Sequence, residues 1–172
     1  MELLTERLRL VPHGTEYILT TCDYAMDIEN TQYMLNLPAD SVESTLEYLK
    51  YVEGEWAKTT PLLFEFAIFY EGVHIGSLGI DVDEERTEAE FGWIINKKYW
   101  NRGITYEAAK AVMEFAKEEL GVKRFFAHCD SENIGSYRVM EKLGMVRKDC
   151  YGGRKNKSSK EERMECLYEL LV

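Results

Sequence analysis

The chain has 172 residues, 45% of them hydrophobic and 30% charged, with a formal net charge of −10. That length and composition fit one globular domain spanning residues 1–172, and no apolar run approaches the ~20 residues that span a bilayer. The acidic balance argues against general nucleic-acid binding, and the N-terminal Met-Glu-Leu-Leu-Thr-Glu-Arg lacks the regions of a signal peptide, so the expected location is cytoplasmic.

Thr5–Val11 alternates Leu8 and Leu10 with Arg7 and Arg9, the period of a half-buried strand. His13–Asp23 reads as a short helix, and Asn36–Pro38 as a break. Ser41–Lys58 opens on a capping-box signature, Ser41-Val-Glu-Ser44, and continues with Leu46, Leu49, Val52 and Trp56 at helical spacing. Leu62–Tyr70 and Val73–Val82 are strand-like and flank a Glu71-Gly72 turn, which predicts a hairpin. Asp83–Arg86 turns again into a third strand, Ala89–Asn96. A helix is predicted over residues 105–120, with Gly121 as its stop, then a short buried strand Lys123–Asp130 and a helix Asn133–Leu143 stopped by Gly144. Met145–Tyr151 and Arg163–Leu170 read as two last strands, and Gly152–Glu162 between them as a polar, mobile loop. The order β-α-α-β-β-β-α-β-α-β-β predicts an α/β (mixed α+β) fold. Its sheet is mostly antiparallel, of about seven strands, with helices on both faces.

Cys22, Cys129, Cys150 and Cys166 are scattered and do not cluster with His13, His74 and His128, so free thiols are expected, with no metal site. Charge is divided unevenly. Residues 1–96 hold 5 Lys+Arg against 19 Asp+Glu, a balance of −14, and residues 97–172 hold 16 against 12, a balance of +4. The two blocks either mark solvated faces or meet at a site for an anionic cofactor and a cationic acceptor. The basic block begins beside residues 99–108, Tyr-Trp-Asn-Arg-Gly-Ile-Thr-Tyr-Glu-Ala, where a Gly-centred turn opens a helix. A helix start carries unpartnered N–H groups and partial positive charge, which suits a phosphate, and Arg102 adds a cation.

The segment Phe91-Gly-Trp-Ile-Ile-Asn followed by Tyr99-Trp-Asn-Arg-Gly-Ile-Thr-Tyr-Glu-Ala108 resembles motif A of the GNAT N-acetyltransferases. Asp130-Ser-Glu-Asn133-Ile-Gly-Ser136-Tyr-Arg-Val-Met-Glu-Lys-Leu-Gly144 resembles the next helix of that family. The opening Thr5-Glu-Arg-Leu-Arg-Leu is similar to the subgroup of ribosomal-protein-alanine N-acetyltransferases. The resemblance covers nearly the whole chain. It implies acetyl-coenzyme A as co-substrate, with its pyrophosphate on the N–H groups of Arg102, Gly103, Ile104, Thr105 and Tyr106, next to Asn101. The family often has Gly at the position of Asn101 and Gly or Ala at that of Thr105. The pantetheine arm would pair with Trp93, Ile94, Ile95 and Asn96, and an N–H near Ile94 would face the acetyl oxygen.

Acetyl transfer to an amine needs a proton acceptor. Glu90 is the candidate, read either as that base or as a solvated strand residue. Many relatives place a Tyr where this chain has Met140. Ser136 then stands as the proton donor to the leaving thiolate or as a group that orients the cofactor. Asn133 reads as a helix cap, a pantetheine ligand, or both. Arg138 and Lys142 meet the 3′-phosphate or face solvent, and Tyr137 packs inward. Glu107 and Trp100 read as first-turn charge and packing. Tyr33, Trp56, Tyr70 and Tyr151 line the acceptor pocket or pack. The expected acceptor is a small cationic amine or a protein N-terminus, and the expected assembly a monomer or homodimer. The alternative function is a catalytically weak sensor or interaction module that binds coenzyme A or acetyl-coenzyme A.

Overall fold

Ser41 behaves as its spacing predicts. Its side chain accepts from the Ser44 N–H while the Ser44 hydroxyl accepts from the Ser41 N–H, a closed capping box. It opens α2 (Val42–Trp56), whose buried Thr45, Leu49 and Val52 recur at helical spacing. In the computed structural model, which describes residues 1–172, the elements around it run as follows. The strands are β1 (Leu3–Leu4), β2 (Leu8–Pro12), β3 (Leu63–Tyr70), β4 (Val73–Val82), β5 (Glu88–Ile95), β6 (Arg124–Asp130), β7 (Val146–Arg154) and β8 (Arg163–Leu171). The other helices are α1 (Ile18–Ala25), α3 (Ile104–Phe115) and α4 (Ile134–Lys142). α3 runs on as a wider turn over Ala116–Leu120 and stops at Gly121, which takes the left-handed φ of 81° that a helix end favours.

One sheet of eight strands has the order β1-β2-β3-β4-β5-β6-β8-β7. It is antiparallel except at β5–β6, the one parallel pair, whose two strands are joined through α3. Glu71 and Gly72 both have positive φ, 50° and 78°, the geometry of a tight hairpin turn, and this sets the β3–β4 register. Alternation then sorts the side chains. Phe66, Leu78, Phe91 and Phe125 face α3 and α4, with Phe66 edge-on to Phe115. Glu65 faces the other way, toward α2, where it accepts from the Tyr48 hydroxyl. On that same side His74 meets Thr20 of α1 at 2.7 Å.

The sheet has one strand more than the seven expected, because Leu3 and Leu4 pair with Leu10 and Arg9. Two readings are corrected. The stretch Gly152–Glu162 is not a free loop: β7 continues to Arg154, and Arg154 and Asn156 are buried. Their partners, Tyr33 O, Glu165 and Asp130, lie on other segments, so no local pattern announces them. The cysteines are not all free thiols either. Cys150 and Cys166 are bonded, because the β7–β8 register sets them directly opposite each other. Cys22 and Cys129 remain thiols, and burial pushes the Cys129 thiol up to about 11.

A buried aromatic and histidine cluster lies between α1 and the sheet. Burial lowers His13 to about 3 and His74 to about 4. In the unfolded chain each imidazole takes a proton near its ordinary value of about 6.5, whereas in the fold it stays neutral. The stability is therefore whole above that value and is lost as pH falls toward the folded values. Each group should cost about 2 kcal/mol by pH 5. Glu65 works in the opposite sense, since burial raises its carboxyl and acid relieves that cost. Thermal unfolding followed from pH 7 to pH 5 should show a falling midpoint, with a shallower fall in His74→Gln.

Candidate active site

The chain between Ile95 and α3 forms a turn with two left-handed residues, Asn101 at φ 60° and Gly103 at φ 74°. Asn is among the side chains that best tolerate this backbone, so it can replace a glycine here. The N–H groups of Asn101 through Tyr106 donate to no acceptor in the protein, and the next one, Glu107, reaches Gly103 O at 3.1 Å. A run of free donors at a helix start is an anion cradle.

A clamp from the far end of the chain holds the cradle. The Glu107 carboxylate accepts from the Thr5 hydroxyl at 2.5 Å, the Arg7 N–H at 2.9 Å and Arg7 Nε at 2.7 Å, and pairs with Arg7 Nη2 at 2.7 Å. Arg7 Nη1 also donates to Arg102 O at 3.0 Å. Burial alone works upward on Glu107, but the Thr5 and Arg7 donors hold its carboxyl below the usual range. The Arg102 side chain folds back over the Tyr99 ring and donates to Lys98 O at 3.1 Å.

Below the cradle, β5 and β6 part. Their pairing runs from Glu88–Arg124 to Glu90–Phe126 and ends there. The outer edge of β5 beyond Glu90 is therefore open. The bonds Asp83 N–H to Glu88 O and Asn96 N–H to Ile75 O fix which peptide groups face which side. By alternation those of Glu90, Gly92 and Ile94 turn to β4, while those of Trp93 and Ile95 turn into the slot. The open N–H groups near Ile94 are therefore those of Trp93 and Ile95. Ile95 O is already occupied by the Trp100 indole N–H at 2.8 Å, which makes Trp100 a brace between β5 and the turn.

The slot passes through the sheet. On the α3–α4 side the Trp93 indole N–H donates to Ser136 Oγ at 3.2 Å. Asn133 caps α4, its side chain accepting from the Ser136 N–H at 3.2 Å. On the opposite side, where β5 and β6 separate, Glu90 Oε1 lies 2.7 Å from His128 Nδ1. Gly92, next on the same face as Glu90, leaves open space: a Cβ there would meet no atom within 4 Å. These groups line a single cavity of about 940 Å³, together with residues of the 29–37 segment and Arg138, Lys142, Arg154 and Glu165. Arg154 fixes its mouth. It pairs with Glu165 at 2.6 Å and donates to Tyr33 O at 2.7 Å, which pins the α1–α2 connection to the β7–β8 hairpin. Asn30 Oδ1 holds the same connection to the end of β5 by accepting from the Lys97 N–H at 2.5 Å.

Residues 7–146 match the family model described as Acetyltransferase (GNAT) domain. The chain belongs to the GNAT acetyltransferase family. Among curated proteins it is 48% identical over 58 residues to Bacillus subtilis YnaD, an uncharacterized N-acetyltransferase, a stretch covering 34% of each chain. Among solved structures it is similar to a GNAT acetyltransferase from Bacillus anthracis, with a TM-score of 0.83 and 26% identity over 99% of this chain and 98% of that one. It shares its fold with RimL, a ribosomal L7/L12 alpha-N-protein acetyltransferase in complex with coenzyme A, at a TM-score of 0.86 and 16% identity over 100% and 98% of the two chains.

In this GNAT domain the residues predicted from sequence fall on one cavity: Glu90, Trp93, Ile94, Ile95, Asn101 through Tyr106, Asn133 and Ser136 all line it. Asn96 instead caps the short turn after β5, accepting from the Lys98 N–H at 3.1 Å. Met140 lines the cavity but carries no proton to give, and Tyr137, stacked on Tyr168 at 6.5 Å, is not among the lining residues. Of the four aromatics considered for the acceptor end, Tyr33 reaches the cavity. Trp56 packs on Phe64 and Phe66, Tyr70 on Tyr99, and the Tyr151 hydroxyl donates to Glu165. Arg7, which ties the cradle to the chain start, and His128, which meets Glu90, are contacts that no sequence pattern singles out. Arg7 lies within a strand pattern, and His128 within a run that reads as buried strand. Its position two residues past Phe126, on the face of Glu90, is the available signal.

Proposed function

We propose that this protein transfers the acetyl group of acetyl-coenzyme A directly to a primary amine, with both substrates bound at once. The observation that carries the reading is the continuity of the unpartnered Asn101–Tyr106 N–H run with the open edge of β5. One end suits a pyrophosphate and the other an extended amide chain. The residues fit coenzyme A: Arg138 and Lys142 lie on the cavity near the cradle, and Trp93 and Ile95 offer amide partners for pantetheine. Acetyl-coenzyme A supplies an activated thioester, and a slot N–H would stabilise the oxyanion as the amine attacks.

Charge supports an amine as acceptor. The cavity is lined by Glu29, Glu90, Glu132 and Glu165; Lys97, Arg163 and Arg154 pair with Glu29, Glu132 and Glu165, which leaves Glu90, beside His128, as the carboxylate with no Lys or Arg partner. A small cationic amine and a protein N-terminus both match this surface, and an N-terminal amine loses its proton more readily than a lysine side chain. Ser136 is the proposed donor to the leaving thiolate. The indole N–H of Trp93 occupies one of its lone pairs, which leaves the hydroxyl proton free for the sulfur.

The test is release of coenzyme A thiol by the purified protein with acetyl-coenzyme A and a panel of polyamines, amino sugars and peptides. Turnover with at least one amine is expected. Coenzyme A binding without turnover on any of them would sink the reading in favour of a sensor. Ser136→Ala should lower kcat by about tenfold to a hundredfold, the lower range of acid–base catalysis, with little change in affinity for coenzyme A.

A further inference from the structure

We propose that His128, held by Glu90, takes the proton from the incoming amine, so that Glu90 acts as a positioning residue. The inference rests on acetyl transfer being the reaction. Glu90 and Phe126 form the last rung of the parallel pairing. His128 lies two residues beyond Phe126, on the same face, at the point where the slot begins. Its Nδ1 is 2.7 Å from Glu90 Oε1, while Nε2 has no partner in the protein.

That arrangement selects a tautomer. A carboxylate beside Nδ1 keeps the proton on Nδ1, so the lone pair sits on Nε2. The Phe126 ring meets the imidazole edge-on at 5.9 Å and limits how the ring can turn. Both side chains are partly exposed, 28% for His128 and 41% for Glu90, so the pair sits at the mouth rather than in the core. Glu90 already receives the Nδ1–H, and a carboxylate is a poor match for the proton of an alkylammonium. An imidazole is the closer match of the two.

The charged and titratable groups around the pair come from each neighbouring strand. Asp81 of β4 stands opposite Glu90, Asp149 of β7 stands across Leu167 from His128, Asp130, Glu165 and Tyr151 lie one rung further, and Arg154, a rung beyond, pairs with Glu165. An imidazolium formed at His128 would face these carboxylates. Gly92 leaves the path to the slot open on this face.

The step balances as follows. The ammonium gives one proton to Nε2, and its nitrogen then attacks the thioester carbon. The C–S bond breaks as the C–N bond forms, the electron pair leaves with sulfur, and the second amine proton ends on that sulfur. The imidazolium returns its proton to water at the mouth. The products are an amide, coenzyme A thiol and one released proton.

The experiment compares His128→Gln, His128→Ala and Glu90→Gln in the thiol-release assay, using an amine on which the wild type turns over. His128→Gln should lose about a hundredfold or more in kcat, the range of a general base, with the KM for acetyl-coenzyme A unchanged. Free imidazole should restore part of the His128→Ala rate. Glu90→Gln should lose less, because the imidazole remains. Wild-type kcat in His128→Gln, or no rescue by imidazole, would overturn the proposal. A wild type inactive on every amine would instead remove the acetyl-transfer reading, and that result is seen before any variant is made.

Discussion

Glu107→Ala is expected to weaken coenzyme A binding by about tenfold and to lower stability by about 2 kcal/mol, although residue 107 would touch neither substrate. Its carboxylate gathers four contacts from Thr5 and Arg7. Without it the Arg7 guanidinium loses its carboxylate partner and keeps its bond to Arg102 O. The pair is partly exposed, 38% for Arg7 and 18% for Glu107, so solvent screens the charge and the hydrogen bonds supply most of the effect. The cradle N–H groups are free, and the other ties on the turn are the Arg102 side chain to Lys98 O and the Trp100 indole to Ile95 O. Glu107→Gln keeps the shape but can accept from fewer donors, and should fall between the two. Calorimetric titration with coenzyme A and thermal unfolding measure the two effects separately. Unchanged affinity in Glu107→Ala would mean that the turn is rigid by itself.

The second large effect is expected at Gly92. A Cβ there meets no protein atom within 4 Å, so Gly92→Val should fold. Its side chain would project on the face of Glu90 and His128, into the space through which an amine must pass. Catalysis depends steeply on placement, and a displacement of about 1 Å can cost about a hundredfold in rate. We expect a loss of that order in kcat/KM for the amine, with coenzyme A affinity retained because the groups proposed to hold the cofactor lie on the Trp93 side. Titration with coenzyme A beside initial rates at varied amine checks both halves. Equal loss of both would place the cofactor, not the amine, over Gly92.

What the sequence made legible was local. The Ser41 cap, the Glu71-Gly72 turn and Gly121 each act through neighbours within a few residues, and each stands where its pattern predicts. The Asn101–Tyr106 turn was legible for the same reason, since it is built from consecutive residues. The contacts that close the rest of the cavity were not. His128 meets Glu90 from 38 positions away, Arg7 meets Glu107 from 100, and Arg154 reaches Tyr33 across 121. Such pairs depend on strand order and on which pair is parallel, and periodicity reports neither. Which N–H near Ile94 faces the slot is a finer matter. Side-chain alternation can be read from a strand pattern, but the direction in which each N–H points depends on which neighbour it pairs with.

The slot opens on both faces of the sheet, with Ser136 on one side and Gly92 and Glu90 on the other. The two substrates would therefore have separate doors. Neither need wait for the other to enter, and spent coenzyme A can depart while the acetylated product is still in place. Initial-rate lines at several fixed amine concentrations should then intersect, and coenzyme A should compete with acetyl-coenzyme A but not with the amine.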